Sequence, residues 1–228
     1  MTKNLTLLFA FLIFGGYSLI GQNDLRFGLF VQPGMSWVKS DANNVDAKGG
    51  FSFGWGLAVD KIFQERYAFS TGFTHRFYKM NTDYNLSITD TAGVAHSYID
   101  AIDYKMQYLE IPLTLKLRTN EQGHLTYFGQ IGGVLGFSIK TRYDRINGYD
   151  SSLNRENEKA REFSKVLNVG LNIGAGVEFS LDDRTRLFGG IDFNQGFLNI
   201  IDDNEIIGDN DERKITLGSI SLKAGVFF

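Results

Sequence analysis

The chain contains no cysteine, and that absence removes several chemistries at once. No disulfide framework, thiolate-held zinc, iron–sulfur cluster or cysteine nucleophile can be built. The mature N-terminus cannot carry a thioether-linked lipid either, so a lipoprotein is excluded. Proline is scarce, with two among 228 residues, and there are three histidines, His75, His96 and His124, without metal-ligand spacing. An excess of basic charge is also lacking. The 23 Lys and Arg face 26 Asp and Glu, so the electrostatic footprint of a nucleic-acid binder is missing. A mean hydropathy of −0.14 excludes a bundle of membrane helices. It does not exclude a membrane barrel, whose strands hide their apolar half in alternation with polar residues.

One apolar run exists, at the start. Lys3 supplies a positive charge, Leu5 to Phe14 is nearly all apolar, and Gly15, Gly16, Ser18 and Gly21 follow. This pattern predicts a signal peptide over residues 1–21, cut near Gly21–Gln22. The run is too short for a transmembrane anchor and has no charged stop beyond it.

From residue 25 onward the apolar residues recur at every second position. Leu25, Phe27, Leu29, Val31, Met35 and Trp37 share one parity, with Phe30 the exception on the other. Phe51, Phe53, Trp55, Leu57 and Val59 repeat the pattern, as do Leu109, Ile111, Leu113, Leu115 and Leu117. Leu167, Val169, Leu171, Ile173, Val177 and Phe179 oppose Asn168, Gly170, Asn172, Gly174, Gly176 and Glu178. One face is thus large and apolar, the other glycine, small polar residues and charge. A soluble lipid-binding barrel would bury the large face and leave a glycine-rich, charge-poor solvent surface. A membrane barrel turns the pattern around: lipid outside, a narrow polar lumen inside.

Eight strands are predicted, at roughly 25–38, 51–61, 67–80, 104–118, 125–142, 166–180, 186–199 and 214–228. Each satisfies the roughly 9–11 tilted residues that cross a bilayer. The connections 62–66, 119–124 and 181–185 are short, whereas 39–50, 81–103, 143–165 and 200–213 are long and polar. The fold expected for residues 22–228 is therefore an all-β, eight-stranded antiparallel up-and-down transmembrane β-barrel with both mature ends periplasmic. Aromatic residues collect towards the strand ends, as headgroup-level girdles do. Trp37, Phe51, Phe77, Phe137 and Phe197 mark the outer rim, and Phe27, Tyr67, Phe69, Tyr127, Phe179 and Phe228 the inner one. The terminal Phe228, on the apolar parity, has the form of the signal read by barrel assembly machinery.

Tyr108–Leu109–Glu110–Ile111–Pro112–Leu113 with Lys116, the strand Gly170–Asn172–Gly174–Gly176–Glu178–Phe179, and the stretch Phe193–Asn194–Gln195–Gly196–Phe197–Leu198–Asn199–Ile200 together resemble the PorT-like outer-membrane β-barrel family of Gram-negative bacteria. The resemblance spans about residues 22–228. It implies an integral, loosely porin-like outer-membrane protein, and some members of that family serve secretion and gliding machinery. It brings no catalytic residues with it.

The parity assigns Arg26, Asp60, Arg76, Glu110, Lys116, Lys140, Glu178, Asp192 and Lys223 to the lumen. Charges there need partners or water. The expected pairs are Arg76 with Glu110, Asp192 with Lys223, and Arg26 with Asp60. Such a network plugs the barrel and fixes strand register; a charged constriction in a narrow channel for ions or small solutes is the alternative. A lipid-modifying enzyme is the third reading. It would need His75 as general base near the outer rim, and no serine with an orienting carboxylate stands beside it. No cofactor is expected. Among the long connections, 202–212 holds Asp202, Asp203, Glu205, Asp209, Asp211 and Glu212, a carboxylate set conceivable for calcium but without EF-hand order. The expected partners are outer-membrane lipid, the assembly machinery, and envelope or secretion-complex proteins docking on the loops, with no nucleic acid.

Overall fold

In the computed structural model, residues 25–40, 45–89, 93–160, 164–182, 184–200 and 214–228 are described. The leader expected at 1–21 and the acidic segment 202–212 lie outside them. The described residues form ten strands: β1 (Leu25–Ser40), β2 (Val45–Lys48), β3 (Gly50–Gln64), β4 (Tyr67–Thr89), β5 (Ala95–Arg118), β6 (Leu125–Asn147), β7 (Arg155–Lys159), β8 (Leu167–Ser180), β9 (Arg186–Gly196) and β10 (Ile215–Phe227). Eight of them close a ring. Its antiparallel order is β1-β3-β4-β5-β6-β8-β9-β10, and β10 pairs back onto β1. The Phe228 N–H also donates to the Phe27 carbonyl at 2.8 Å, so the last residue is tied to the first strand. Closure removes both sheet edges, the condition for strands to stand in hydrocarbon.

The ring is inside out. Phe27, Leu29, Val31, Phe51, Trp55, Leu115, Ile131, Ile173, Ile191, Ile220 and Leu222 all face outward and are exposed, forming a continuous apolar band. Inside, Gln32, Asp60, Arg76, Glu110, Lys116, Glu178 and Asp192 are buried. Water could not support so large an exposed apolar surface; lipid can. Of the expected girdle residues, Phe51, Phe77, Phe137, Phe197, Phe27, Tyr67, Phe69, Tyr127, Phe179 and Phe228 are exposed on this band. Trp37 is instead half-buried, with its ring 5.9 Å from that of Phe193.

The β4–β5 ladder is interrupted between the pairs Ser70–Thr114 and Thr74–Glu110. Pro112 has no N–H to donate there, and Gly72 adopts φ +141°, a conformation that side chains rarely allow.

The upper architecture corrects the expected loops. Residues 81–103 were expected as a long connection, but β4 and β5 continue through most of them as one protruding hairpin, paired as far as Thr89–Ala95. The segment 143–165 holds the end of β6, one 3₁₀ turn (Ser151–Leu153) and β7, while 39–50 holds β2. Order β2-β4-β5-β6-β7 makes a sheet that rises beyond the barrel on one side. Here the polarity reverses. Met80, Tyr84, Ile102, Tyr104, Met106 and Tyr143 point inward and are buried together with Val38, Ile200 and Leu217. Asn81, Asp103 and Lys105 point outward and are exposed. Above the lipid the outside is water, so the same strands revert to the ordinary rule.

Candidate functional site

The lumen holds the densest chemistry of the described chain. At the end with the short turns, Glu178 on β8 is fully buried and gathers three cations. Lys116 Nζ lies 2.6 Å from Oε1, Arg118 Nη2 3.0 Å from Oε2, and Arg26 Nη1 3.5 Å from Oε2. Lys116 also donates to Asp60 at 2.8 Å, and Asp60 accepts from Ser70 Oγ at 2.5 Å. The ammonium of Lys116 sits over two rings, 4.3 Å from the centroid of Phe128 and 4.9 Å from that of Phe227. Buried cations of this kind are tolerated because carboxylates and ring faces replace water.

Higher in the barrel, Arg76 Nε lies 3.4 Å from Glu110 Oε2, while Arg76 Nη1 donates to Ser219 Oγ at 3.2 Å. Tyr78 donates to the other oxygen of Glu110 at 2.5 Å. Across the lumen, Asp192 accepts from Gln130 at 2.8 Å and from Gln32 at 3.3 Å, with Lys223 Nζ at 4.0 Å. Gln130 and Asn172 extend the chain to Asn194.

Three expectations change on this geometry. Arg26 does face Asp60 in register, yet its guanidinium reaches Glu178, and Asp60 is taken by Lys116. Arg118, absent from the expected lumen set, is a full member of the network. Its even parity with Lys116 was the available signal. Lys140 leaves the lumen altogether: a bulge shifts the β5–β6 pairing from Tyr108–Ser138 to Gln107–Lys140, so Ile139 and Lys140 are both exposed and Thr141 takes the inward place. Sequence parity cannot count across a bulge. Tyr78 and the amides Gln32, Gln130 and Asn172 were also missed, because neutral side chains look like filler in a polar alternation.

Outside the lumen, His75 stands on the lipid-facing surface, its ring 5.7 Å from Trp55 and 4.5 Å from Phe77. In the protruding sheet Asp100 is buried and held by Arg145 Nε at 3.0 Å and by Asn147 at 3.1 Å, a structural anion. Asp144 accepts from Lys105 and from the Asn157 N–H. Those two bonds hold its carboxyl below the usual range, with the Lys105 bond the larger cause.

Free space around Gln130, at mid-lumen, is small. Two cavities around Gln130 have volumes of about 20 and 10 Å³, room for a water molecule at most. Packing is tight enough that glycine is required where walls meet side chains. A Cβ on Gly174 would clash with Asp192 Oδ1 and lie 3.0 Å from Gln130 Cγ. Gly174→Val is therefore expected to cost about 1–3 kcal/mol in urea unfolding of the refolded barrel. Gly129→Ala, where the nearest atom is 4.0 Å away, should change stability by less than about 0.5 kcal/mol. Equal effects would show that the lumen is looser than described.

An inverted, closed, eight-stranded ring with a charged interior has one known setting, and the sequence comparison agrees. The family model described as outer membrane protein beta-barrel domain matches residues 8–202. The chain belongs to that family. It is an outer-membrane β-barrel protein. No curated protein matches it. Among solved structures, OprG from Pseudomonas aeruginosa is similar at 13% identity, covering 90% of this chain and 95% of that one with a TM-score of 0.47. Ail, the attachment invasion locus protein of Yersinia pestis, shows 15% identity over 90% and 99% of the two chains with a TM-score of 0.41. The N-terminal β-barrel domain of Pseudomonas aeruginosa OprF shows 11% identity over 92% and 100%, with a TM-score of 0.39.

Proposed function

We propose that this outer-membrane barrel is a plugged structural scaffold. It spans the membrane without conducting and presents its protruding β-sheet to other envelope components. The observation that carries the reading is the filled lumen, in which Glu178, Asp60, Glu110 and Asp192 engage Lys116, Arg118, Arg26, Arg76 and Lys223, and the two cavities around Gln130 measure about 20 and 10 Å³. The exposed sheet strands β2 and β7 and the hairpin of β4 and β5 supply the contact surface, as long outer segments do in such barrels. In this reading residues 1–21 direct export, residues 22–228 form the mature barrel, and Phe228 is the residue the assembly machinery reads. The PorT-like resemblance makes a secretion or gliding complex the kind of assembly it would join. No catalytic role is assigned to His75, and no cofactor or metal is invoked.

Planar-bilayer recording of the refolded protein tests this. Heat-modifiable gel mobility establishes that the inserted material is folded. The expected trace is silent. Discrete, reproducible conductance steps would overturn the plug and favour the narrow channel, with the charged layers as its filter.

A further inference from the structure

The outward face of the protruding sheet carries a row of cations set by strand register. Lys79 on β4 is paired with Lys105 on β5, Lys105 with Arg142 on β6, and Arg142 with Lys159 on β7. Side chains directly opposite across antiparallel strands stand roughly 5 Å apart, and like charges so placed repel. Four in a row is a costly arrangement unless something anionic lies against it. The bulge in β6 adds a fifth cation, Lys140, which it turns out of the lumen onto this same face beside Gln107. Bulges are a means of re-aiming a side chain, and here the result concentrates charge instead of dispersing it.

Among the described residues, carboxylates neutralise one member of the row. Asp144 pairs with Lys105, and Asp103 lies opposite Asp144 one step further from the membrane. Lys79, Lys140 and Lys159 make no ion pair among the described residues, and Arg142 pairs there with no carboxylate, its Nη1 donating to the Asn157 carbonyl at 3.4 Å. Position decides the ligand class. Directly below the row on the same face are Phe77, Phe137 and Ile139, all exposed and part of the apolar band. The cations therefore sit where hydrocarbon gives way to headgroups, at the barrel end opposite the short turns.

We infer that Lys79, Lys105, Lys140, Arg142 and Lys159 form a binding site for the phosphate groups of a lipid in the outer-facing leaflet, with the acyl chains lying on the Phe77, Phe137 and Ile139 surface. Lysine and arginine serve as phosphate ligands, and neutralisation by headgroup phosphate relieves the repulsion along the ladder.

The test uses the refolded full protein in detergent with diphosphoryl lipid A as the probe, read by native mass spectrometry and by the heat-modifiable unfolding midpoint. The expected result is a retained lipid adduct and a raised midpoint. The triple variant Lys79→Gln, Lys140→Gln, Lys159→Gln leaves the Lys105–Asp144 pair intact and should bind at least tenfold more weakly. Lys61→Gln, on the same outward parity near the opposite end, should bind as the parent does. Gel mobility confirms that each variant folds, and if the triple variant does not, Lys79→Gln with Lys140→Gln is read in its place with a smaller loss. Equal binding of the fully dephosphorylated glycolipid, or undiminished binding by the variant, would overturn the site. The same midpoint shift from inorganic pyrophosphate alone would overturn the lipid as its source.

Discussion

Glu178→Ala should lose about 3–5 kcal/mol of stability, the cost of removing one partner from a buried charged group. Glu178 is the shared anion of Lys116, Arg118 and Arg26, at 2.6, 3.0 and 3.5 Å, and its side chain has no exposure. Removing it leaves two buried cations, Lys116 and Arg118, and one partly buried, Arg26. Among the described carboxylates, Asp60 alone stays in contact, through Lys116. Urea unfolding of the refolded protein in vesicles reads the loss as a lowered midpoint at unchanged slope. The comparison is Glu121→Ala. That residue pairs with Arg186 at 3.0 Å in an exposed turn, and exposed pairs contribute within about 1 kcal/mol. If the two substitutions cost the same, the lower network is hydrated and does not hold the barrel.

The second large effect belongs to the middle layer. Glu110→Arg places a guanidinium against Arg76 and removes the acceptor that Tyr78 donates to. A loss above about 3 kcal/mol follows from two buried like charges and an orphaned hydroxyl. Adding Arg76→Glu should recover part of it, with a coupling of about 1–3 kcal/mol in a double-mutant cycle. Recovery stays incomplete because Tyr78 then faces a cation and Ser219 loses the Arg76 donor. Where the single variant does not refold, Glu110→Gln and Arg76→Gln give a coupling of the same sign. A double variant no better than Glu110→Arg would contradict the pairing.

The barrel was legible because one physical rule governs each membrane strand. Leu109, Ile111, Leu113, Leu115 and Leu117 on one side, with Glu110, Thr114 and Lys116 on the other, state both the period and its inversion. The protruding sheet was not legible for the same reason. At Met80–Tyr84 and Ile102–Met106 the surroundings change from lipid to water, so the apolar residues switch to the inner side and the outer side fills with Asn81, Asp103 and Lys105. A strand whose pattern reverses midway reads as a charged loop.

Charge partners were legible only where height alone decides them. Arg76 and Glu110 lie on adjacent strands and meet. Arg26 and Asp60 are also adjacent in register, but a long guanidinium can cross the lumen, and the buried Glu178 attracts it. Lys140 depended on a bulge that no residue pattern announces. In each case the error came from side-chain reach or a backbone irregularity, not from the alternation itself.

The central claim is the inversion: apolar side chains to lipid, polar ones to a closed lumen. The absence of native cysteine makes it directly measurable. Single cysteines at Ser219, Ile220, Ser221 and Leu222 of β10 alternate between lumen and lipid in the structure, with Ser219 and Ser221 buried and Ile220 and Leu222 exposed. Spin-labelled in vesicles, Ile220→Cys and Leu222→Cys should show high collision rates with oxygen and low rates with a water-soluble nickel chelate. Ser219→Cys and Ser221→Cys should resist labelling or be shielded from both. Nickel accessibility at Ile220 and Leu222, with oxygen accessibility at Ser219 and Ser221, would turn the barrel right side out and contradict the account.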